Sequence, residues 1–174
     1  MATVRRITGG LALSVLLGCS PTFDWRDVCP AGAGVQLLFP CKPATEARSI
    51  ELAGHPVRMT MVACRTGGST FGFAFADAGE ASRVPPVIAA LRAAQASNFG
   101  APARPLGPTV VPGANPVPAP QRFEIDGRLP DGTLVRQQLV YFARGTQVYQ
   151  AAVMGPIQGG DAAGIFFEGI RSTP

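Results

Sequence analysis

Ser69-Thr70-Phe71-Gly72-Phe73-Ala74-Phe75-Ala76-Asp77 decides the fold. Phe71, Phe73 and Phe75 share one side, and Thr70, Gly72, Ala74 and Ala76 share the other. A period of two is the signature of a β-strand, because successive side chains point to opposite faces. The aromatic face calls for a core. The small face calls for something packed closely against it.

Working back from this strand, Gly67-Gly68 turns into a second run, Pro56 to Arg65. There Val57, Met59, Met61 and Ala63 alternate with Arg58, Thr60, Val62 and Cys64. Gly54-His55 is expected as a two-residue hairpin turn back to Ala47–Ala53. Val35 to Phe39, stopped by Pro40, is a further short strand. Working forward, Val84 to Phe99 carries a helical stripe of Val84, Val87, Ile88, Leu91 and Phe99. Ser82 is the expected cap, Pro85 and Pro86 fit the first turn, and Gly100 ends the helix.

Residues 101–120 contain seven prolines, which rules out a helix or a central strand. They are expected to cross the surface of one domain, with Thr109-Val110-Val111 adding an edge strand. Arg122–Leu129, Thr133–Arg144 and Gln147–Met154 follow, joined by Pro130-Asp131-Gly132 and Gly145-Thr146, and predict an antiparallel meander. Asp161 is placed to start a last short helix with Ala162, Ile165, Phe166 and Ile170 on one side. The expectation is a single α+β domain over 34–174, an antiparallel sheet of about six strands with two helices packed on it.

The start of the chain has another character. Arg5 and Arg6 precede an apolar run to Leu17, too short for the ~20 residues that span a bilayer. Leu16-Leu17-Gly18-Cys19 resembles the bacterial lipoprotein box. That resemblance implies cleavage between Gly18 and Cys19, removal of residues 1–18, and acylation of Cys19. Residues 19–33 then form a lipidated tether. Two or more acyl chains anchor stably, whereas one gives only reversible attachment. Ser20, in place of the aspartate that commonly retains such proteins at the inner membrane, implies the outer membrane, facing the periplasm.

Cleavage would leave 13 basic and 11 acidic residues, with no two basic residues adjacent. A nucleic-acid partner is therefore not expected. Membrane attachment is expected through the lipid, and what the domain docks is either a protein of the envelope or a small ligand. Among Cys29, Cys41 and Cys64, an oxidising compartment favours one bridge. Cys41–Cys64 is the expected pair, because hairpin register brings Cys64 opposite about residue 45. Cys29 is then left free or paired to another molecule.

Candidate chemistry is sparse. His55 is the only histidine and sits at a turn. Ser69 follows two glycines but leads into a strand, unlike a nucleophile elbow. An envelope hydrolase using Ser69 and His55 is the alternative reading, and a soft-metal or thiol site using Met59, Met61, His55 and the cysteines is another. Core packing explains the methionines more simply. Glu124 and Asp126 read as two solvated acids on an outer strand face. No catalytic residue, metal ligand or cofactor is assigned, and the expected role is non-enzymatic binding or assembly.

Phe39-Pro40 followed by Lys42-Pro43, then a hairpin, a helix and a crossing, form a recognisable order. Tyr141-Phe142-Ala143-Arg144-Gly145-Thr146-Gln147-Val148-Tyr149-Gln150 and Phe166-Phe167-Glu168-Gly169-Ile170 complete it. This layout resembles uncharacterised bacterial proteins related to the PsbP/Mog superfamily. The resemblance implies an antiparallel sheet covered by helices, used as a binding or assembly module. No binding residue of those proteins maps onto this chain.

Overall fold

The computed structural model describes residues 22–129, 131–156 and 161–173. The ten strands are β1 (Arg26–Val28), β2 (Val35–Phe39), β3 (Ala44–Leu52), β4 (His55–Thr66), β5 (Ser69–Asp77), β6 (Arg104–Pro108), β7 (Gln121–Arg128), β8 (Leu134–Arg144), β9 (Gln147–Pro156) and β10 (Arg171–Ser172). The helices are α1 (Val84–Phe99) and α2 (Ala162–Glu168). The α+β class holds. A seven-stranded sheet of order β3-β4-β5-β9-β8-β7-β6 is antiparallel throughout, and a three-stranded sheet, β1-β2-β10, lies beside it.

The decisive strand is β5, between β4 and β9. Phe71, Phe73 and Phe75 enter one core with Leu37 and Phe39 of β2 and Phe166 and Phe167 of α2. Ala74 and Ala76 enter a second core with Val84, Val87 and Leu91 of α1. The small residues let the helix approach, as their size implied. The large sheet is thus the middle of three layers, with α1 on one face and β1-β2-β10 plus α2 on the other.

Local chemistry explains where the elements differ from expectation. The β3–β4 turn is Ala53-Gly54, both with positive φ (51° and 78°), and Leu52 pairs with His55. The residue before a proline is held extended, so His55 belongs to the strand and the turn moves back by one residue. Ala53 then occupies a left-handed conformation that costs an L-residue roughly 1–2 kcal/mol. At α1, Ser82 does not cap. Its hydroxyl donates to Glu80, while Arg83 stands at the cap position without a side-chain bond. Gly100 ends the helix at φ 63°, as its lack of a Cβ permits. In α2 the buried side chains are Ala163, Phe166 and Phe167, with Ile170 just beyond, and Ile165 is turned outward. That set is itself an i, i+3, i+4, i+7 pattern, one residue out of step with the expected stripe.

The edge strand of the proline-rich crossing is β6, not Thr109-Val110-Val111. Prolines 105 and 108 are tolerated there because an edge strand has one side with no ladder to satisfy, and the register shifts between Pro105 and Gly107. Residues 109–120 then form a strap around the end of the sheet. Val111 is buried in the α2-side core, whereas Pro118 and Ala119 border α1. Midway, the Asn115 backbone amide donates to Ala143, its side chain donates to the Gly145 carbonyl, and it accepts from the Gly145 amide, at 2.7–2.9 Å.

Residues 22–33, expected to continue the tether, pack onto the domain instead. Strand β1 pairs with β2. Phe23 and Trp25 stand edge-on to Phe71 at 6.4 and 6.3 Å. Large aromatic surfaces near an apolar core bury themselves, and here they carry the backbone with them.

Candidate functional site

A half-open cleft of about 170 Å³ lies on the α1 face of the sheet. Helix α1 supplies Pro85, Ile88, Ala89 and Arg92, the strap supplies Pro118 and Ala119, and the sheet supplies Gln121, Phe123 and Tyr141. Alternation places the sheet residues. Gln121 pairs directly with Tyr141 across β7–β8, and Phe123 lies two positions on, so the three share one face. On the helix, Ile88, Ala89 and Arg92 fall at i, i+1 and i+4 and border the cleft from one side. The strap closes the remaining wall because Asn115 pins it to the β8–β9 turn.

The walls are mostly apolar, and two polar groups matter. Tyr141 is 2 % exposed, yet its hydroxyl has no hydrogen-bond partner among the described residues. A buried hydroxyl without a partner typically costs about 1–3 kcal/mol. Burial pushes the phenol pKa far above its ordinary value, while the charge of nearby Arg92 pulls weakly the other way. The group therefore stays protonated and remains a donor. Arg92 is exposed, and its guanidinium lies 5.1 Å from the centroid of the Phe123 ring. Among the described residues no carboxylate pairs with it. Tyr141 meets Phe123 edge-to-face at 5.8 Å, so the cation and the hydroxyl-bearing ring flank the same aromatic.

None of these cleft residues is legible as a site in the sequence. No motif marks them. Only strand alternation, which aligns Gln121 and Phe123 with Tyr141 once the β7–β8 register is known, could have drawn them together.

The residues that were singled out are placed as follows. Cys41 and Cys64 form a disulfide, with Cα atoms 6.0 Å apart, inside the window of about 4.4–6.8 Å that a bridge requires. Cys29 is exposed and makes no bridge among the described residues. Gly18 and Cys19 lie outside the described residues. Ser69 pairs with Thr66 at one end of β4, and His55 begins β4 at the other. At the rise of an extended strand they are roughly 35 Å apart, so they do not form a catalytic pair. Met59 and Met61 pack in the α1-side core, whereas Cys64 belongs to the opposite face and is bridged. One strand cannot bring both faces to a common metal.

Glu124 corrects its expected place in solvent. It is 6 % exposed, ion-paired with Arg104 and 3.7 Å from Arg136. Asp126 receives two bonds from Arg136, at 2.6 and 3.0 Å. The bond from Arg136 holds its carboxyl below the usual range, with the charges of Arg136 and Arg104 helping and burial opposing. This ladder lies on the α2 side of the sheet, away from the cleft.

Comparison with known protein families, curated proteins and solved structures finds no match.

Proposed function

We propose that this chain is a non-enzymatic binding or assembly module of the bacterial cell envelope, held to the outer membrane by acyl chains on Cys19 and facing the periplasm. The observation that carries the binding role is the cleft. It is a small apolar depression with one cation and one buried hydroxyl that have no partner among the described residues, the composition usual for ligand sites. The Cys41–Cys64 bridge supports an oxidising compartment. An antiparallel sheet with helices on both faces supports the PsbP-like reading of the layout. The hydrolase alternative has little to draw on, since Ser69 and His55 stand at opposite ends of β4.

The test is crosslinking of the anchored protein in native envelopes, followed by purification and identification of what is retained. A stoichiometric protein partner or a co-purified small molecule is the expected result. Recovery of neither, from a preparation in which the protein is folded, would overturn the binding role. Intact mass of the exported protein tests the anchor separately, and an unmodified Cys19 would remove it.

A further inference from the structure

We propose that the α1-side cleft binds a small monocarboxylate with a compact apolar body, its carboxylate held between Arg92 and the Tyr141 hydroxyl. The inference rests on the reading of the chain as a binding module and names the chemical class of its ligand.

Size comes first. A single water takes about 10–15 Å³ of such space, so 170 Å³ holds a ligand on the order of ten non-hydrogen atoms. That is well below a drug-sized site of about 300 Å³ or more. Charge comes second. Among the described residues, Arg92 is the one cation on the lining, and no acid lines the cleft. A guanidinium offers a planar fork of donors that matches a carboxylate. One cation beside one neutral donor balances a single negative charge, whereas a phosphate dianion would leave charge uncompensated.

The hydroxyl supplies an independent observation. Tyr141 could have been a phenylalanine if packing were its only task, because nothing among the described residues accepts or donates at its oxygen. A carboxylate oxygen would accept that proton and remove the cost of the orphaned group. Removing an orphan is worth more than adding one hydrogen bond in water, since the unpaired state is the penalised one. The rest of the lining fits an apolar body. Pro85, Ile88, Ala89 and Pro118 offer hydrocarbon surface, and the Phe123 ring offers an aromatic edge or face. Arg92 and the apolar walls face the half-open cleft, whereas the Tyr141 oxygen has almost no exposure to solvent, so the ligand reaches it only as the side chains around it shift.

The experiment titrates the full chain, purified in detergent, with 4-fluorobenzoate and follows fluorine NMR line width. 4-Fluorobenzyl alcohol is the neutral control and inorganic phosphate the competing anion. Saturable binding with a dissociation constant of about a millimolar or tighter is expected for the acid. Arg92→Gln should weaken it about tenfold, and Tyr141→Phe at least about threefold. The alcohol should bind weakly and phosphate should not displace the acid. Arg92 is exposed and phenylalanine keeps the ring, so both variants should fold, which their melting curves check.

Equal affinity for acid and alcohol, displacement by phosphate, indifference to both substitutions, or no saturable binding would each overturn the proposal. If binding is absent while envelope crosslinking still captures a partner or another small molecule, only the ligand class fails. If crosslinking also captures nothing, the binding role fails with it.

Discussion

Tyr141 and Tyr149 stand on neighbouring strands, face opposite ways, and are almost equally buried at 2 % and 1 % exposed. Tyr149 stacks on Phe142 at 4.6 Å and donates to the Ala33 carbonyl at 2.7 Å. Tyr141 touches Phe123 and, among the described residues, donates to nothing. The two faces of the sheet differ in the same way. On the α2 side, the turn leading into β2 brings the Ala33 carbonyl to the core, and the Cys41–Cys64 bridge ties the approach to β3 onto β4. On the α1 side, the cover is a helix whose backbone is already self-bonded and a strap from which no acceptor among the described residues reaches the Tyr141 hydroxyl. A buried hydroxyl is satisfied where the covering layer turns a free carbonyl toward it. The face that cannot offer one is the face left with room for a ligand.

The largest expected effect is on the bridged side. Replacing Cys41 and Cys64 together with alanine opens a loop of sequence separation 23. It should destabilise the domain by about 3 kcal/mol in the chain-entropy model, read by denaturant melts with and without reductant. A reductant-insensitive wild type would show that the bridge contributes little.

Next come the tyrosines themselves. Tyr149→Phe strands the Ala33 carbonyl and should cost about 1–3 kcal/mol. Tyr141→Phe strands nothing and should leave stability unchanged or raise it slightly in the absence of ligand. Equal losses in the two variants would break the contrast. Burial raises both phenol pKa values above 10.0, the unfolded value. Their contribution to stability is therefore complete below about pH 10 and is lost as pH rises through the folded values. Absorbance near the tyrosinate band should rise only together with unfolding.

Asn115→Ala removes the side-chain bonds that pin the strap and should cost about 1 kcal/mol. The same change should also weaken carboxylate binding, because one cleft wall loosens, whereas it should not alter the α2-side core. Hydrogen exchange of the strap amides reads the first effect. The smallest effect belongs to Asp126, whose carboxyl is held low by Arg136. Its stabilisation is present above about pH 4 and fades as pH falls through its lowered folded value. Asp126→Asn should flatten the acid limb of the stability curve slightly, and added salt should shrink the difference because the pair is exposed.

Much of the fold was legible because strand and helix periods are local properties of a chain. Phe71, Phe73 and Phe75 declare a buried face without any knowledge of what covers it. Val84 to Phe99 declares a helix, and Gly100 its end. Cys41 and Cys64 could be paired because hairpin register constrains distance. The misplaced features have equally physical causes. The β3–β4 turn moved because Pro56 restricts His55. Ile165 was assigned inward because the stripe in a seven-residue helix can be read in two phases. Trp25 docks on the domain rim, the simplest reading of a large aromatic in a turn-rich segment, but the β1 pairing that comes with it is not legible, because the segment shows no period and its partner, Phe71, is far along the chain. Glu124 was assigned to solvent because the burial that Arg104 and the edge strand impose depends on β6 pairing with β7.

By itself the sequence determined which side chains share a face, where strands must stop, and which two cysteines could meet. Only the tertiary structure decided which of two similarly buried tyrosines would be satisfied. The Ala33 carbonyl that accepts from Tyr149 lies 116 positions away in the chain, and the strap that walls in Tyr141 reaches it by crossing the end of the sheet. Local periodicity orients a side chain, but the partner it meets is set by chain segments brought together from far apart.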